Sequence, residues 1–590
     1  MYLSNLKLWN FRKFGSMSEF DLEKPDMDLN FTKGLNVLIG ENDSGKSAII
    51  DAIKLVLKTH SYEWIRITED DFHQGIVRFR IELVFDDLSD EEAKNFTEWL
   101  GWHGEGESAK PYLRLIYDVT RKNEKIFPSD VHAGVDDIGY QLTAGAREYL
   151  KVTYLKPLRD AMTELTPKRN SRISQILQGH EAFKEKEESH HLVKLFNKFN
   201  TSIEKYFEAK TLKEGSNNEF KDIEDQKGKE LKDKIDEFIH DFYDKTKESK
   251  FGVAEGKLKN ILEKLELSIK DEVNPGLGTL NRLFMSSELL HLGKEDWNGV
   301  RLGLIEELEA HLHPQAQMQI IESLQEQSAI QLILATHSPN LGSKVKLENL
   351  IICNNNNAFP MGKRYTKLKD SDYSFLERFL DTTKANLFFA KGVLLVEGWA
   401  EEILLPALAM AIKKVNIIDK DLTEAGVSVV NIGNTAFLRY ASVFQRKEKP
   451  EMDIPVAVIT DLDIKPEAED TSINGKTKRE VETEKKKNKY NGQAVKTFVS
   501  PHWTLEYCLL KSSSIGSKFQ EIVKSIHSGT DWTSFETQLS KKLIDKSLNK
   551  TEIAYRLAQD IEKETSEITI NENDNPIKYL IDAIKYACSN

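Results

Sequence analysis

Cysteine is scarce in this chain: Cys353, Cys508 and Cys588 are its only three, far apart and in no C-x-x-C pattern. That excludes a disulfide framework and a zinc site built on paired thiolates. Long apolar runs are missing too, since the best candidates are broken by charges before they reach membrane-spanning length. Met1 to Gly15 alternates apolar and polar residues and carries Lys7, Arg12 and Lys13, which reads as a strand and not as a secretory signal. The expectation is a cytoplasmic protein with no membrane segment. Positive charge is not in excess either. The formal charge of −13 excludes a surface coated in basic residues but leaves room for a local basic patch, which is what nucleic-acid binding requires. With 39% hydrophobic and 30% charged residues the composition is that of a globular protein, and 590 residues are too many for one core.

What is present begins with Gly40–Glu41–Asn42–Asp43–Ser44–Gly45–Lys46–Ser47, preceded by the apolar run Val37–Leu38–Ile39 and followed by a helical pattern from Ala48 to Lys58. This fits G-x-x-x-x-G-K-[ST] in the strand–loop–helix setting that a phosphate-binding loop needs. Gly40 and Gly45 let the backbone curl so that its N–H groups, Asn42 among them, face phosphate at a helix N-terminus. Lys46 would reach the β- and γ-phosphates, and Ser47 would hold Mg²⁺. The motif points to ATP or GTP.

Further on, Val77–Phe85 alternates as a half-buried strand, Tyr112–Val119 is another, and Lys151–Leu155 is a short one ending at Pro157. From Glu181 to Lys270 the sequence turns Lys/Glu-rich and helical, with scattered apolar positions such as Leu192, Leu195, Phe196 and Phe199. Two readings stand for it: a pair of solvated helices, or a dimerisation arm inserted between two halves of one nucleotide site. The second half follows as Leu302–Gly303–Leu304–Ile305–Glu306–Glu307, an apolar strand ending in paired acids. Glu306 would orient Mg²⁺, and Glu307 would polarise the attacking water. Gln331–Ala335 then runs into Thr336–His337–Ser338, where His337 is placed to sense the γ-phosphate.

Phe11–Arg12–Lys13–Phe14, the Gly40–Ser47 loop, the Glu306–Glu307 pair and His337, in this order, resemble the ABC-type ATPases of the SMC class. The resemblance implies a sheet-containing head split by a helical insertion, and head pairing through a signature motif. The corresponding segment, Asn274–Pro275–Gly276–Leu277–Gly278–Thr279–Leu280, departs from the usual L-S-G-G-Q form and keeps only its glycines.

A second constellation lies beyond the head. Gly392–Val396 is an apolar strand leading to Glu397–Gly398, with Glu401 one helical turn later, so that both acids can face one cleft. Val456–Thr460 is a buried-type strand leading to Asp461–Leu462–Asp463, and strand period two would put both aspartates on one side, repelling unless a cation lies between them. Together these resemble the Toprim pattern, hhhhEG followed by hhhhDxD. Hard carboxylate oxygens at this spacing suit Mg²⁺ or Mn²⁺, and two ions roughly 3.5–4 Å apart would serve phosphodiester hydrolysis.

An ABC head followed by Toprim resembles the OLD (overcoming lysogenization defect) family of nucleases over nearly the whole chain. The resemblance implies an α/β multidomain fold: residues 1–180 as the first part of the ATPase head, 181–270 as the helical insert, 271–385 as the second part, and 386–590 as the Toprim domain with C-terminal helices. It makes Glu506, in Trp503–Thr504–Leu505–Glu506–Tyr507, a further metal ligand beside Glu397, Glu401, Asp461 and Asp463. It also makes Lys550 a residue that steadies phosphate charge in the transition state. Implied with these are ATP, two divalent ions in the Toprim site and one with the nucleotide, DNA as substrate, and a homodimer or homotetramer. Antiphage defence is implied too, alone or with a UvrD-like helicase or a retron reverse transcriptase and its DNA–RNA product. The alternative is an ATP-dependent nucleic-acid sensor or clamp with a non-cutting Toprim domain. A topoisomerase or primase is disfavoured, because no tyrosine-bearing domain or zinc module completes either chemistry.

One feature stands on its residues alone. Lys476, Lys478, Arg479, Lys485, Lys486, Lys487 and Lys489 crowd what reads as a loop after Asp463, either merely solvated or holding a phosphate backbone that the nearby acids would repel.

Overall fold

The computed structural model describes residues 1–590 except 17–18, 61–64, 123–124, 157–163, 184–189, 214–218, 243–245, 254–255, 273, 294–296, 434–435, 471, 474, 564–567 and 590. Pro157, expected to end a strand, lies outside the described residues. The chain forms two compact units: Met1–Val152 with Asn298–Asn590, and Thr153–Trp297. The fold is mixed α/β.

The first unit opens with an antiparallel sheet in the order Met27–Asn30, Tyr2–Trp9, Arg78–Asp86, Lys110–Lys122, His132–Ala133, Tyr140–Gln141. The Arg78–Asp86 strand is more deeply covered than its alternation suggests. Arg80 and Glu82, on its polar side, are 2% and 3% exposed. They can be buried because they pair with each other at 2.6 Å, while Arg80 reaches Asp118 at 3.2 Å and Arg114 reaches Glu82 at 2.8 Å. A charge cluster satisfied in this way can lie under cover without being stranded from water.

Beside it, Leu302–Glu306, Gln331–Ala335, Leu35–Ile39 and Leu350–Asn354 run parallel in that order, with Asn357–Pro360 antiparallel at the edge. The first three are buried at every residue, as strands covered on both faces must be, which is why they read as continuous apolar runs. The nucleotide-type loop leaves the end of Leu35–Ile39 and enters the helix Lys46–Leu57.

A second parallel sheet, ordered Val427–Asn431, Gly392–Val396, Val456–Thr460, Val495–Val499, carries the acidic motifs at its strand ends. The helices Trp399–Lys414, Lys550–Glu562 and Asn575–Ala587 share one core with it, including Leu394, Leu405, Leu408, Leu557 and Ile581. This region is joined to the head by a polar and aromatic seam. Arg446 donates to the Pro360 carbonyl and lies over the rings of Phe359 and Tyr365, at 5.6 and 5.3 Å, while Lys367 N–H donates to Gln445 O at 3.0 Å.

The second unit contains the 16-residue helices His191–Tyr206, Lys227–Phe242 and Leu277–Leu292, and a short hairpin pairing Lys210–Leu212 with Phe220–Asp222. Its small core gathers Val193, Leu258, Ile261 and Leu262. Arg172 and Glu288 are paired through two hydrogen bonds of 2.6 and 2.7 Å, a bidentate contact that ties two helices under cover. Within the signature-like segment Asn274–Leu280, Gly276 caps the Leu277–Leu292 helix.

Candidate functional site

Two sites lie in the first unit, and each is built at the ends of parallel strands. In the nucleotide-type loop, Gly40 has φ +143° and Gly45 φ +101°. A Cβ at Gly40 would stand 2.3 Å from the Cys353 carbonyl, and one at Gly45 would stand 2.6 Å from the Phe14 ring, so both positions demand glycine on two counts. Lys46 is 4% exposed and folds back over its own loop, donating to Gly40 O at 2.9 Å, Ser44 Oγ at 3.0 Å and Glu41 O. Burial pushes its pKa down to about 8, against smaller upward pulls from Cys353 and Glu309. An ammonium held this way lacks a full counter-charge, and a phosphate would supply one.

Ser47 Oγ donates to Glu306 Oε2 at 3.3 Å, which joins the two halves of the motif across 259 positions. Glu306 is buried at the end of its strand. Glu307, next to it, is exposed and left-handed at φ 47°, with its N–H bound to Ala335 O at 3.0 Å. His337 lines the same cavity of about 250 Å³ as Asn42, Gly45, Lys46 and Ser47, joined there by Arg12 and Lys13. Its pKa is pushed down first by partial burial and then by the nearby Lys46. Glu309, which sequence reasoning missed, organises this end. It accepts from Thr336 Oγ1 at 2.9 Å and from the His337 N–H at 2.8 Å. Arg12 is fixed by Asp51 at 2.7 Å and Asp71 at 2.9 Å.

In the second site, Glu397 follows the Gly392–Val396 strand and accepts from Thr460 Oγ1 at 2.6 Å. Burial raises its pKa. Glu401, in the first turn of Trp399–Lys414, is pushed up to about 7, by burial first and by Glu506 and Glu397 after it. Asp461 is raised well above the carboxylate range by burial, then by Glu401, Glu506 and Glu397. Glu506 is buried in the helix Leu505–Lys511, and Lys550 pairs with it at 3.0 Å. The structure therefore brings Glu397, Glu401, Asp461, Glu506 and Lys550 into one electrostatic neighbourhood.

Asp463 lies at the exposed edge of this group, close enough to Glu397 to raise its pKa. The strand stops at Thr460, so strand periodicity does not reach the two aspartates, and the expectation that they share a face fails there. Asp463 is left-handed at φ 62°, its side chain is 62% exposed, and its N–H donates to Trp503 O at 3.0 Å. The basic run after it is not a loop: Lys478–Tyr490 is a helix, closed at its start by a Thr477–Glu480 capping box. Several of its charges are already paired, Lys476 with Glu484, Lys485 with Glu482, and Arg479 with Glu469 and Asp470.

Among the described residues, no three acidic, histidine or cysteine side chains close into a ready metal cage. The donor set nevertheless fits a hard divalent cation. Every candidate ligand is a carboxylate, and Glu401 and Asp461 are partly buried with more negative neighbours than positive ones, a state a bound cation would relieve. Lys550 and Thr460 each hold one of these carboxylates, Glu506 and Glu397 in turn. Thr460 and Glu309 were missed because a lone threonine or glutamate at a strand end carries no pattern of its own.

Comparisons with known proteins agree with this geometry. Residues 35–343, more than half of the chain, match the family described as "AAA domain, putative AbiEii toxin, Type IV TA system". Residues 388–463 match the family described as "Overcoming lysogenization defect protein-like, TOPRIM domain". The chain belongs to this AAA family and carries an OLD-type Toprim domain. An AAA/ABC-type ATPase domain and an OLD-like Toprim domain thus share one chain. The chain is 22% identical over 559 residues to endonuclease GajA of Bacillus cereus (strain HuB5-5), covering 79% of this chain and 77% of that protein. It is 35% identical over 85 residues to the DNA double-strand break repair Rad50 ATPase of Thermoplasma volcanium, covering 14% of this chain and 8% of the relative. Among solved structures, an SMC head bound to the C-winged helix domain of ScpA aligns at 15% identity and TM-score 0.33, over 60% of this chain and 93% of that one. The C-terminal region of the Xanthomonas campestris pv. campestris OLD protein aligns at 21% identity and TM-score 0.23, over 35% and 96%. Among the described residues, no helix of this AAA-family chain is long and apolar enough to cross a membrane.

Proposed function

We propose that this chain is an ATP-binding, metal-dependent DNA endonuclease, active in antiphage defence, in which the nucleotide state of the head regulates phosphodiester cleavage by the Toprim acids. The observation that carries the reading is the gathering of the partly buried Glu397, Glu401 and Asp461 around the buried Glu506, with Lys550 against it. Similarity to a protein named an endonuclease supports it. Glu397, Glu401, Asp461, Asp463 and Glu506 would hold Mg²⁺ or Mn²⁺, which when bound supplies an activated water and charge neutralisation at the leaving oxygen. Lys550 keeps its proton: burial alone would lower its pKa, but Glu506, Asp461 and Glu401 outweigh it and raise it. It therefore brings a permanent positive charge to the negative charge that develops on phosphate. In the head, Lys46, Ser47, Glu306, Glu307 and His337 would serve ATP, with one further Mg²⁺.

What supports control by nucleotide is a chain of contacts. Lys46 grips the Glu41 carbonyl, and Glu41 Oε2 lies 3.3 Å from Lys391, the residue before the strand that ends at Glu397. A cavity of about 370 Å³ lies between Glu41–Ser44 and Lys391, Lys420 and Glu424. A phosphate that draws Lys46 off the Glu41 carbonyl would disturb this contact directly. Self-association through the second unit is supported by the exposed apolar side chains Leu195, Phe199, Leu231 and Phe238 on its helices.

The test is cleavage of supercoiled plasmid by the purified protein with Mg²⁺ or Mn²⁺. Wild type should cut, and Glu397→Ala should lose at least about a thousandfold in rate while still binding ATP. Equal cutting by Glu397→Ala would remove the Toprim acids from the reaction, and no cutting by wild type would favour the non-cutting clamp.

A further inference from the structure

The basic helix Lys478–Tyr490 is not spread evenly over solvent. Its C-terminal Tyr490 is buried, its first turn is capped, and Arg479 ties it to the buried Glu469, which also accepts from the Trp503 N–H at 2.9 Å. From this anchored frame one lysine turns inward. Lys486 Nζ donates to Asp463 Oδ2 at 2.6 Å and to the Asp461 carbonyl, and its side chain is only 14% exposed. It also lies close enough to Glu397 to lower that residue's pKa, against the raising effect of Asp463. Its neighbour Lys485 is 72% exposed and paired with Glu482. The four-carbon stem of Lys486 is thus held under cover with its ammonium among oxygens of Asp461 and Asp463, whereas ordinary surface lysines keep theirs in water.

A carboxylate and a backbone carbonyl are also the oxygens that a hard divalent cation uses. An ammonium and a cation cannot both have them. We infer that Lys486 is the built-in counter-cation of the Asp463 side of the Toprim cluster, and that it competes there with a divalent ion. The inference rests on the reading of this cluster as a metal site. On that reading the two sides of the cluster differ. Glu401, Asp461 and the buried Glu506 have one lysine near them, Lys550, which pairs with Glu506 at 3.0 Å. Asp463 already has its positive partner. A first ion therefore binds the deep side readily. An ion using Asp463 must displace Lys486, and binds weakly until something anionic, such as a DNA phosphate, takes the freed ammonium.

Mn²⁺ titration of the full chain without nucleotide or DNA, followed by electron paramagnetic resonance and calorimetry, tests this directly. Lys486→Gln should tighten the weaker Mn²⁺ step at least tenfold. Lys486→Arg, which keeps the charge, and Lys485→Gln, on the same helix, should titrate as wild type does. Adding Asp463→Asn to Lys486→Gln should erase the gain. Equal isotherms for wild type and Lys486→Gln, with helix content and melting temperature unchanged, would overturn the inference while leaving the metal site standing. Absence of Mn²⁺ binding in every variant, with Glu397→Ala no different from wild type, would instead overturn the metal reading on which it rests. Neither result depends on cleavage.

Discussion

The nucleotide-type site and the Toprim site are electrostatic opposites built on the same plan. Each lies where parallel strands end, the usual place for ligands in open α/β sheets. In the head, a buried lysine is short of negative charge and its pKa falls to about 8. In the Toprim domain, partly buried carboxylates are short of positive charge, so that Glu401 rises to about 7 and Asp461 rises well above its ordinary range. Two lysines sharpen the contrast. Lys46 is lined mainly by uncharged oxygens of its own loop and is shifted down, while Lys550 is lined by acids and is shifted up. The sign of the missing charge tells which ligand each site awaits, an anionic phosphate in one and a cation in the other.

The comparison breaks first at Lys550. If it supplies charge to the reaction, Lys550→Ala should slow plasmid cleavage by about a hundredfold or more while the stronger Mn²⁺ step is kept. A variant that loses Mn²⁺ binding instead would show Lys550 to be only a prop for Glu506.

Opposite pH responses of the unliganded protein come next. Glu401 has a folded pKa above its usual 4.5, so the stability it contributes is full below that value and is lost as pH rises through about 7. Lys46 has a folded pKa below its usual 10.5, so its contribution rises with pH between about 8 and 10.5. Melting curves in chelator should therefore show Glu401→Gln flattening the slope below pH 7.5, and Lys46→Met flattening it above pH 8. Mg²⁺ should offset the first loss and not the second. If neither substitution alters the slope, the mirrored assignment fails.

The smallest effect expected is at the Glu41–Lys391 contact. Lys391 is 54% exposed and Glu41 35%, and a pair so open to water is worth at most about 1 kcal/mol. Lys391→Gln should move the ATP concentration for half-maximal response by no more than about fivefold. A complete loss of response would mean that this one pair, and not the wider seam around Arg446, carries the coupling.

Much of this layout was legible in the sequence, because its signals were local. Gln331–Ala335 and Gly392–Val396 are strands over the residues their apolar runs mark, since strands covered on both faces cannot hide their composition. The loop from Gly40 to Ser47 declared itself through glycines that no other residue can replace. The failures were of two kinds. Lys478–Tyr490 has almost no apolar residue to mark it as a helix, and its local signal is the capping box that Thr477 and Glu480 spell. The grouping of Asp461 with Asp463 carries the strand period past Thr460, where the strand ends. The holds of Thr460 on Glu397, Lys486 on Asp463 and Glu309 on Thr336 span 63, 23 and 27 positions, and only the fold brings such partners together.

The central claim is that one site governs the other, and Lys46→Ala tests it most directly. Plasmid cleavage by this variant should be measured at saturating Mg²⁺ across an ATP titration, beside wild type. The account predicts that Lys46→Ala still cuts, binds ATP at least about a hundredfold more weakly, and no longer changes its cutting rate with ATP. A variant that has lost ATP binding yet keeps the wild-type ATP response would contradict it.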